Sequence, residues 1–498
     1  MNPSSYPVRC ALVALLALLY GTVCYHNITG STIRFDAAEN LELALNLAHH
    51  GVFSSDQQYP YRPSMIREPV PVLSMAAAVL VVDRVLGPAP PADYFSGPRA
   101  RAIKLQNIVW MALLCAAVFY ALHSLTDSFY LSLLGVVLIN KIPFVTSGLV
   151  YAGLRVDTLY TELEAATLVV LGSALLARGV QRNSLSFAAA AGLVFGALAL
   201  TKAALLYVLL LLILVMTAVA VHRRKRPLPE WPEPRTLAVL CVAFVAVVLP
   251  WMVRNSRDLG EFQVAGRGGM GLYFRAFDNQ LTHDEMLATL YWWAPDPLTR
   301  QYFGHMLGLS PSDFLSRKGR MRRLSSDPGS EFYETDFTAM FTGHPDQAVS
   351  NFFKSFAEEQ RIWLTFRGKP GVNEDVATDK LLLARGISLF RQEPLRDLEM
   401  TPLYMYRAAA YLFIALVGLL VHTLRTRRYS LLIMGLLGLM TLVFYAALSD
   451  FITRYAVPVV PLTLVAILAA LYPWLAARPL RPWLHHALRR VALSRYHA

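Results

Sequence analysis

The stretch LSFAAAAGLVFGALALTKAALLYVLLLLILVMTAVAV, residues 185–221, decides the class of fold. It holds 37 residues, and Lys202 is the only charged one. As a single α-helix it would be about 55 Å long, at ~1.5 Å per residue. The hydrocarbon core of a bilayer is only about 30 Å thick. We therefore predict two membrane-spanning helices joined by a tight turn at Thr201–Lys202.

The whole chain has the composition of a membrane protein. Of its 498 residues, 55% are hydrophobic and 16% are charged, whereas soluble proteins carry about 25% charged residues. The sequence contains ten apolar runs of roughly spanning length, near residues 8–25, 104–122, 129–148, 159–177, 186–200, 203–221, 236–253, 402–422, 430–448 and 455–474. The first run has no signal-peptidase motif and is expected to be retained. The predicted fold is an all-α polytopic membrane protein with about ten spans.

The formal net charge of +12 does not indicate a nucleic-acid-binding protein. The positive residues form clusters beside apolar runs, namely HRRKR (222–226), HTLRTRR (422–428) and RPLRPWLHHALRR (478–490). Lys and Arg concentrate in the cytoplasmic loops of membrane proteins. We therefore place these clusters on the cytoplasmic side.

The segment VPVLSMAAAVLVVDRVL, residues 70–86, decides the topology. It is apolar but short, and it carries Asp83 and Arg84 near one end. If it crossed the membrane, every later loop would invert and the basic clusters would lie outside. As an amphipathic helix in the interface, it leaves them inside. We therefore predict cytoplasmic termini and a first outer loop of about residues 26–103 with interfacial helices.

The same topology divides the chain into four parts. They are an N-terminal transmembrane module (1–253), a mainly helical periplasmic insertion (254–401), C-terminal transmembrane helices (402–475) and a basic cytoplasmic tail (476–498). An Arg-, Ala- and Leu-rich chain with this topology is typical of the bacterial inner membrane. We expect a multi-pass protein with its site on the periplasmic face.

Charged residues gather at the predicted outer ends of the spans. The segment RFDAAENLELALNLAHHGVFSS, residues 34–55, begins a helix with Asp36 and Glu39. The others, in chain order, are Arg62, Arg67, Asp157, Glu162, Lys202, Arg254, Asp450 and Arg454. The middles of the spans are almost free of charge. This pattern predicts a site at the outer boundary between membrane and water.

These residues also have structural explanations. Asp36 and Glu39 have the spacing of a capping box, with Asp36 as N-cap, and Gly51 would end that helix. The other acids could mark the ends of spans, and the arginines could be interfacial side chains that reach towards water. Lys202 is harder to explain in this way, because it is an outer basic residue in a turn too short to solvate it freely.

Six segments, in the same order along the chain, resemble the GT-C superfamily of integral-membrane glycosyltransferases. The resemblance is to the bacterial branch related to protein O-mannosyltransferases and lipid A aminoarabinose transferases. The segments are FDAAENLELALNLAHHGVFS (35–54), MIREPVPVLSMAAAVL (65–80), GLRVDTLYTELEAATLV (153–169), LALTKAALL (198–206), LPWMVRNSRDLGEF (249–262) and SDFITRYAVPVVPL (449–462). Many members have adjacent Asp-Glu in the first loop, whereas here two alanines separate Asp36 from Glu39. Residues 254–401 align only through a faint likeness of HPDQAV near His344.

The resemblance implies an inverting glycosyltransferase. Its donor would be a hexose or pentose on a polyprenyl phosphate, and its acceptor a cell-envelope glycan, lipid or protein. Asp36 would be the catalytic base. Acceptor or sugar hydroxyls would be bound by Glu39, Asp157 and Glu162. The lipid phosphate would be bound by Arg67, Lys202, Arg254 and Arg454.

No cofactor is expected besides the lipid-linked donor as co-substrate. The relatives that the chain resembles use no metal, and no His/Asp/Glu cluster has ligand spacing. The four cysteines lie in or beside apolar runs, which gives no indication of a zinc site or disulfide framework. The expected partners are membrane lipids, the donor and the acceptor, and no nucleic acid.

Two other functions stay open at this point. A polysaccharide polymerase or ligase would also join lipid-linked sugars outside the membrane. A lipid or sugar transporter fits less well, because transporters place ionisable residues near the bilayer midplane within paired repeats. Here the spans are apolar in their middles and the sequence shows no repeat.

Overall fold

The computed structural model describes residues 5–145, 156–223, 228, 230–449 and 452–477. Within these ranges the regular elements are all helices. Nine helical stretches of the described residues are long and apolar enough to cross a membrane. The prediction of an all-α polytopic membrane protein is therefore confirmed. Asp450, most of the HRRKR cluster and the predicted basic tail from residue 478 onward lie outside the described residues.

Ten helices precede the insertion. They are α1 (Ser5–Asn27), α2 (Asp36–His50), α3 (Pro69–Leu86), α4 (Gly97–Lys104), α5 (Gln106–Thr126), α6 (Phe129–Val145), α7 (Glu162–Arg182), α8 (Leu185–Ala199), α9 (Ala203–His222) and α10 (Pro234–Leu259). The hairpin of α8 and α9 is confirmed, because the N–H groups of Thr201 and Lys202 both donate to Leu198 O at 3.0 Å. At 15 residues α8 is shorter than the other apolar helices, and α6 also falls in the shorter group.

The insertion is helical, as predicted. Its helices are α11 (Gly268–Phe277), α12 (His283–Trp292), α13 (Pro297–Leu307), α14 (Ser312–Leu315), α15 (Tyr333–Thr342), α16 (Asn351–Phe366) and α17 (Glu374–Gln392). The chain returns through α18 (Pro394–Thr426), α19 (Tyr429–Leu448), α20 (Thr453–Ala456) and α21 (Val459–Ala477). Both α10 and α18 extend several residues past the predicted limits of the insertion, so these membrane helices project into it.

Close packing of small residues holds the bundle together. The backbone of α8 approaches α10 at Gly192, where an added Cβ would lie 2.4 Å from Leu240 O. Only glycine permits this approach, which is a common device between membrane helices because it increases van der Waals contact. The result is a rigid frame for the turn that carries Lys202.

Helices α2 and α3 run side by side in the same direction. At their beginnings, Arg67 Nη2 lies 2.6 Å from Asp36 Oδ1. Near their ends, His49 Nε2 lies 2.8 Å from Asp83 Oδ2. Since α2 is a short helix with several acidic residues, it is not a membrane span, and α3 follows its course.

Both ends of α3 are attached to the same end of the bundle. In its first turn, Val70 N donates a hydrogen bond to Leu200 O in the α8–α9 turn at 3.1 Å. At its other end, Arg99 Nη2 in α4 donates to Leu86 O at 3.2 Å, and Gly97 N donates to Gly30 O, just after α1, at 2.8 Å. By length and composition α3 could cross a membrane, but a spanning helix would have its ends on opposite sides. The observed attachment agrees with the interfacial helix predicted from the sequence.

Candidate functional site

One end of the bundle carries a group of acidic and basic side chains. It lies where α2 and α7 begin, where α8 turns into α9, and beside α20 just before α21. Six of the eight predicted site residues meet there, together with one residue that was not predicted. We call this group the charged cluster, and its members are Asp36, Glu39, Arg67, Glu162, Lys202, Arg267 and Arg454.

Three guanidinium groups surround the carboxylate of Asp36. Arg67 Nη2 donates to Asp36 Oδ1 at 2.6 Å, and Arg454 donates to Oδ2. Arg267 Nη1 lies 3.6 Å from Oδ1. Hydrogen bonds between ionised groups are short and strong, so this carboxylate is held firmly from two sides.

The predicted capping box at Asp36 and Glu39 is wrong. The helix begins at Asp36 itself, and Phe35, with φ 55° and ψ −137°, precedes it without any side-chain cap. Both carboxylates turn instead to guanidinium groups, whose charge attracts them more strongly than a backbone N–H does. Gly51 ends the helix as predicted, in a left-handed conformation with its N–H bonded to Leu47 O at 3.1 Å.

The arginines keep both carboxyl groups ionised. Burial alone would raise the pKa of Asp36, but Arg67, Arg454 and Arg267 outweigh it, and the pKa lies well below its usual value. Burial and the negative charge of Asp36 would likewise raise the pKa of Glu39. Arg267 and Arg67 outweigh both effects, so the pKa of Glu39 is also lowered. Opposite charges within a few ångströms stabilise the charged form in this way.

Glu162 connects the second half of the cluster. Its Oε1 lies 3.0 Å from Lys202 Nζ and 3.7 Å from Arg454 Nε. Its other oxygen, Oε2, is buried and has no hydrogen-bond partner among the described residues. The ring of Tyr455 lies 5.4 Å from Lys202 Nζ, and the Arg454 guanidinium lies 4.9 Å from the ring of Tyr160. Within the described residues, the cluster therefore contains one buried carboxylate oxygen whose capacity to accept a hydrogen bond is unused.

Arg267 belongs to the insertion, and the sequence reasoning missed it. Its Nη1 lies 3.4 Å from Glu39 Oε2. The neighbouring backbone is tightly packed, since Gly266 N donates to Met65 O at 2.7 Å, and an added Cβ on Gly269 would lie 2.0 Å from Asp379 O. The signal was the segment AGRGG (265–269) shortly after α10, a lone arginine flanked by glycines.

Acidic residues of the insertion also interact electrostatically with Arg267. Burial raises the pKa of Glu359 to about 7, with Arg267 acting in the opposite direction and Glu39 adding to the increase. Burial raises the pKa of Asp375 and Asp379 too. Arg267 therefore interacts with two sets of carboxyl groups, one on α2 and one on α16 and α17.

Asp157 lies outside the charged cluster. It accepts hydrogen bonds from Thr29 N at 2.6 Å and Thr29 Oγ1 at 2.8 Å, and from Ser31 Oγ at 3.1 Å. Lys104 Nζ lies 3.2 Å away. These contacts fasten the segment between α1 and α2, a few residues before Asp36.

Arg254 is also separate from the cluster. Its Nη1 donates to Ser64 O at 2.8 Å, and its Nε lies 3.3 Å from Asp258 Oδ2. The guanidinium group packs over the ring of Trp251 at 5.0 Å. Because Ser64 lies three positions before Arg67, Arg254 supports the segment that carries a cluster residue.

The described residues contain no cluster of side chains suited to bind a metal ion. Among them, no group of three or more His, Cys, Asp or Glu side chains could hold a metal ion. The carboxylates of Asp36 and Glu39 are already bound by guanidinium groups. The absence of a metal from the reaction stays a prediction.

Comparisons with known proteins give a likeness in structure but none in sequence. No family model matches the chain, and no curated protein matches it. Among solved structures, the chain is similar to the crystal structure of ArnT from Cupriavidus metallidurans in the apo state, with a TM-score of 0.37 and 12% identity. The likeness covers 93% of this chain and 77% of that one.

Proposed function

We propose that this protein is an inverting glycosyltransferase of the bacterial inner membrane. It moves a sugar from a polyprenyl-phosphate donor to a cell-envelope acceptor on the periplasmic face. The observation that carries the proposal is Asp36, a carboxylate held among Arg67, Arg267 and Arg454 at one end of a membrane bundle. The six segments that resemble GT-C enzymes support it, because five of them supply six of the seven cluster residues.

The cations suit a phosphate leaving group. When the bond between the sugar and the lipid phosphate breaks, the electron pair stays on the phosphate oxygen and negative charge develops there. Fixed cationic donors stabilise such charge at little reorganisation cost. Arg454 and Lys202 both pair with Glu162. Arg67 and Arg267 both pair with Asp36 and Glu39 in the same cluster. This arrangement gives the phosphate several donors within one small volume.

Asp36 suits the role of base. The acceptor hydroxyl transfers its proton to the carboxylate while its oxygen attacks the anomeric carbon from the side opposite the phosphate. One bond forms and one breaks in a single displacement, so the configuration inverts. A positioned base typically contributes about 10²–10⁴-fold to such a step. In this role Asp36 acts through its placement, since the surrounding arginines hold its pKa well below its usual value.

Donor binding would make Asp36 more basic. A lipid phosphate in the cluster competes with the carboxylate for Arg454 and Arg267. Each guanidinium that turns towards the phosphate ceases to depress the pKa of Asp36, because the opposite charge is then neutralised. The carboxylate therefore becomes a stronger base only when a donor is present, which limits unproductive proton transfer.

Glu162 and α3 would position the rest of the donor. The unpartnered Oε2 of Glu162 is placed to accept a hydrogen bond from a sugar or acceptor hydroxyl. The helix α3 begins directly after Arg67 and Glu68, and its exposed apolar side chains include Leu73, Leu80 and Val81. A polyprenyl chain can lie along such a surface while its phosphate stays at headgroup level.

The proposal is tested by donor binding to the purified protein. The probe is polyprenyl phosphate, titrated into wild type and the Arg454→Gln variant in nanodiscs. We expect the variant to bind at least about tenfold more weakly, a loss of ~1.4 kcal/mol. The control is Arg257→Gln, since Arg257 lies at the same end of the bundle but is 81% exposed and outside the cluster. Equal affinity in the Arg454→Gln variant and wild type would contradict phosphate binding at the cluster.

A further inference from the structure

Helix α13 in the insertion presents an apolar stripe that no other part of the protein covers within the described residues. Leu298 is 78% exposed, Tyr302 64% and Met306 54%. These residues are spaced four apart, so they lie on one face of the helix. No residue of α13 is buried. Large apolar side chains aligned in this way mark a surface that contacts something other than water.

The beginning of α13 is attached to a membrane-spanning helix. Asp296 caps α13 by accepting a hydrogen bond from Thr299 N. The same carboxylate accepts a hydrogen bond from Tyr411 Oη of α18 at 2.5 Å. Tyr406, one and a half turns earlier in α18, donates from its hydroxyl to Leu290 O in α12 at 2.9 Å. The position of α13 relative to the bundle is thereby fixed.

The residue to which α13 is attached belongs to the lipid-facing side of α18. Tyr411 is 62% exposed and Ile414 67% exposed. Val421 and Leu424 continue this exposed apolar face further along α18. In a helix that crosses a membrane, such a face contacts lipid chains. Tyr411 lies at the end of this α18 face that is nearer to the insertion. Helix α13 therefore begins next to the lipid-facing side of α18 and not next to the interior of the bundle.

The residues around the stripe are those that favour a membrane interface. Arg300 and His305 are exposed on α13, and the Arg300 guanidinium lies 5.8 Å from the ring of Trp292. Tyrosine and tryptophan concentrate at headgroup level, where one side of the ring is apolar and the other is wet. Basic side chains there extend towards water and lipid phosphates.

We propose that α13 is a membrane-anchoring helix. Leu298, Tyr302 and Met306 enter the boundary between headgroups and acyl chains, next to the lipid-facing side of α18. The occupant of this surface is thus the bilayer itself. The anchor holds the insertion, which supplies Arg267, against the membrane at a third place besides its two connecting helices. This inference does not depend on the proposed glycosyl transfer.

The test places a fluorescent probe on the stripe. In a cysteine-free background, Tyr302→Cys is labelled with an environment-sensitive fluorophore and the full-length protein is reconstituted in phosphatidylcholine nanodiscs. The control is Thr335→Cys, an exposed position on α15, which packs on α16. Leu298→Cys serves as a second probe on the stripe if the first variant folds poorly. Quenching is measured with spin-labelled lipids and, separately, with iodide in solution.

We expect lipid spin labels to quench the probes at 302 and 298 by more than half and the probe at 335 by less than a tenth. Iodide should show the reverse order. Quenching of the stripe probes by iodide but not by lipid would show that this face is in water and would overturn the proposal. Protection from both quenchers would also overturn it, because a protein surface would then cover the stripe.

Discussion

Arg267 Nη1 of the insertion lies 3.4 Å from Glu39 Oε2 on α2. The insertion therefore contributes a cation to a cluster whose other members come from the membrane helices and the first loop. Since the charge of the same arginine also acts to lower the pKa of Glu359, Asp375 and Asp379 within the insertion, a shift of the insertion would change the charge balance around Asp36. The insertion is thus part of the site and more than a cover for it.

Removing the charge of Arg267 should impair transfer without unfolding the protein. In Arg267→Gln, one of the three cations around Asp36 is lost, while Arg67 and Arg454 still hold the carboxylate. We expect transfer to fall by about 100-fold, the usual effect of losing one donor that stabilises developing charge. The measurement is sugar transfer by purified protein at matched thermal stability. A rate within twofold of wild type would show that Arg267 only supports the fold.

The position of Arg267 can be changed without changing its charge. In Gly269→Ala, the new Cβ would meet Asp379 O at 2.0 Å, so the segment that carries Arg267 has to move. We expect this variant to lose transfer as Arg267→Gln does. Gly268→Ala is the matched control, because nothing lies within 4 Å of its added Cβ. If both alanine variants behave alike, the close packing beside Arg267 is irrelevant to activity.

Replacing Lys202 should reduce stability as well as activity. Lys202→Met leaves the buried carboxylate of Glu162 with Arg454 at 3.7 Å as its remaining cation in the described site. Breaking a buried ion pair costs about 3–5 kcal/mol, so the unfolding temperature in detergent should fall clearly. The double variant Lys202→Met/Glu162→Gln should regain stability but not donor binding. Full recovery of donor binding in the double variant would make this ion pair purely structural.

The pH dependence of activity should report the arginines around Asp36. The pKa of Asp36 is lowered in the folded protein. Its ionisation therefore stabilises the fold at any pH above the unfolded-state pKa of about 3.9. This stabilisation is lost as the pH falls through the pKa of the folded state. In the free enzyme Asp36 should thus cause no acidic loss of kcat/KM down to about pH 5. Arg454→Gln removes one of the positive charges that lower the pKa of Asp36. The acidic loss of kcat/KM should therefore begin at a higher pH, closer to neutral. An unchanged profile in Arg454→Gln would contradict the role of Arg454 in setting the pKa of Asp36.

The hairpin and the grouping of the charged residues were predictable from the sequence, because hydrophobic length and charge position are local properties. The turn at Lys202 follows from the length of one apolar run, and topology alone places Asp36, Glu162 and Arg454 at one end of the bundle. Which acid pairs with which base could not be predicted from the sequence, since the pairing depends on distances between segments that are far apart in the chain. The capping prediction failed at Asp36 for this reason: distant arginines outcompete local backbone groups.

The residues left outside the cluster show a similar limit. Asp157 and Arg254 lie in segments that resemble GT-C motifs, yet their side chains bind Thr29 and Ser64 and so support neighbouring segments. Sequence position located both at the correct end of the bundle but could not give the direction of a side chain. Arg267 was missed because it lies in none of the six segments that resemble GT-C motifs, so the sequence did not place it near α2.

The most direct test of the account compares envelope glycolipids and glycans by mass spectrometry. The cells carry wild type, a deletion, or Asp36→Asn at matched expression, with protein level and unfolding temperature checked for the variant. If Asp36 is the base, one sugar increment disappears in both mutants and its lipid-phosphate donor accumulates. An increment that is lost in the deletion but kept in Asp36→Asn would contradict Asp36 as the base and would favour transport of a lipid or sugar over glycosyl transfer.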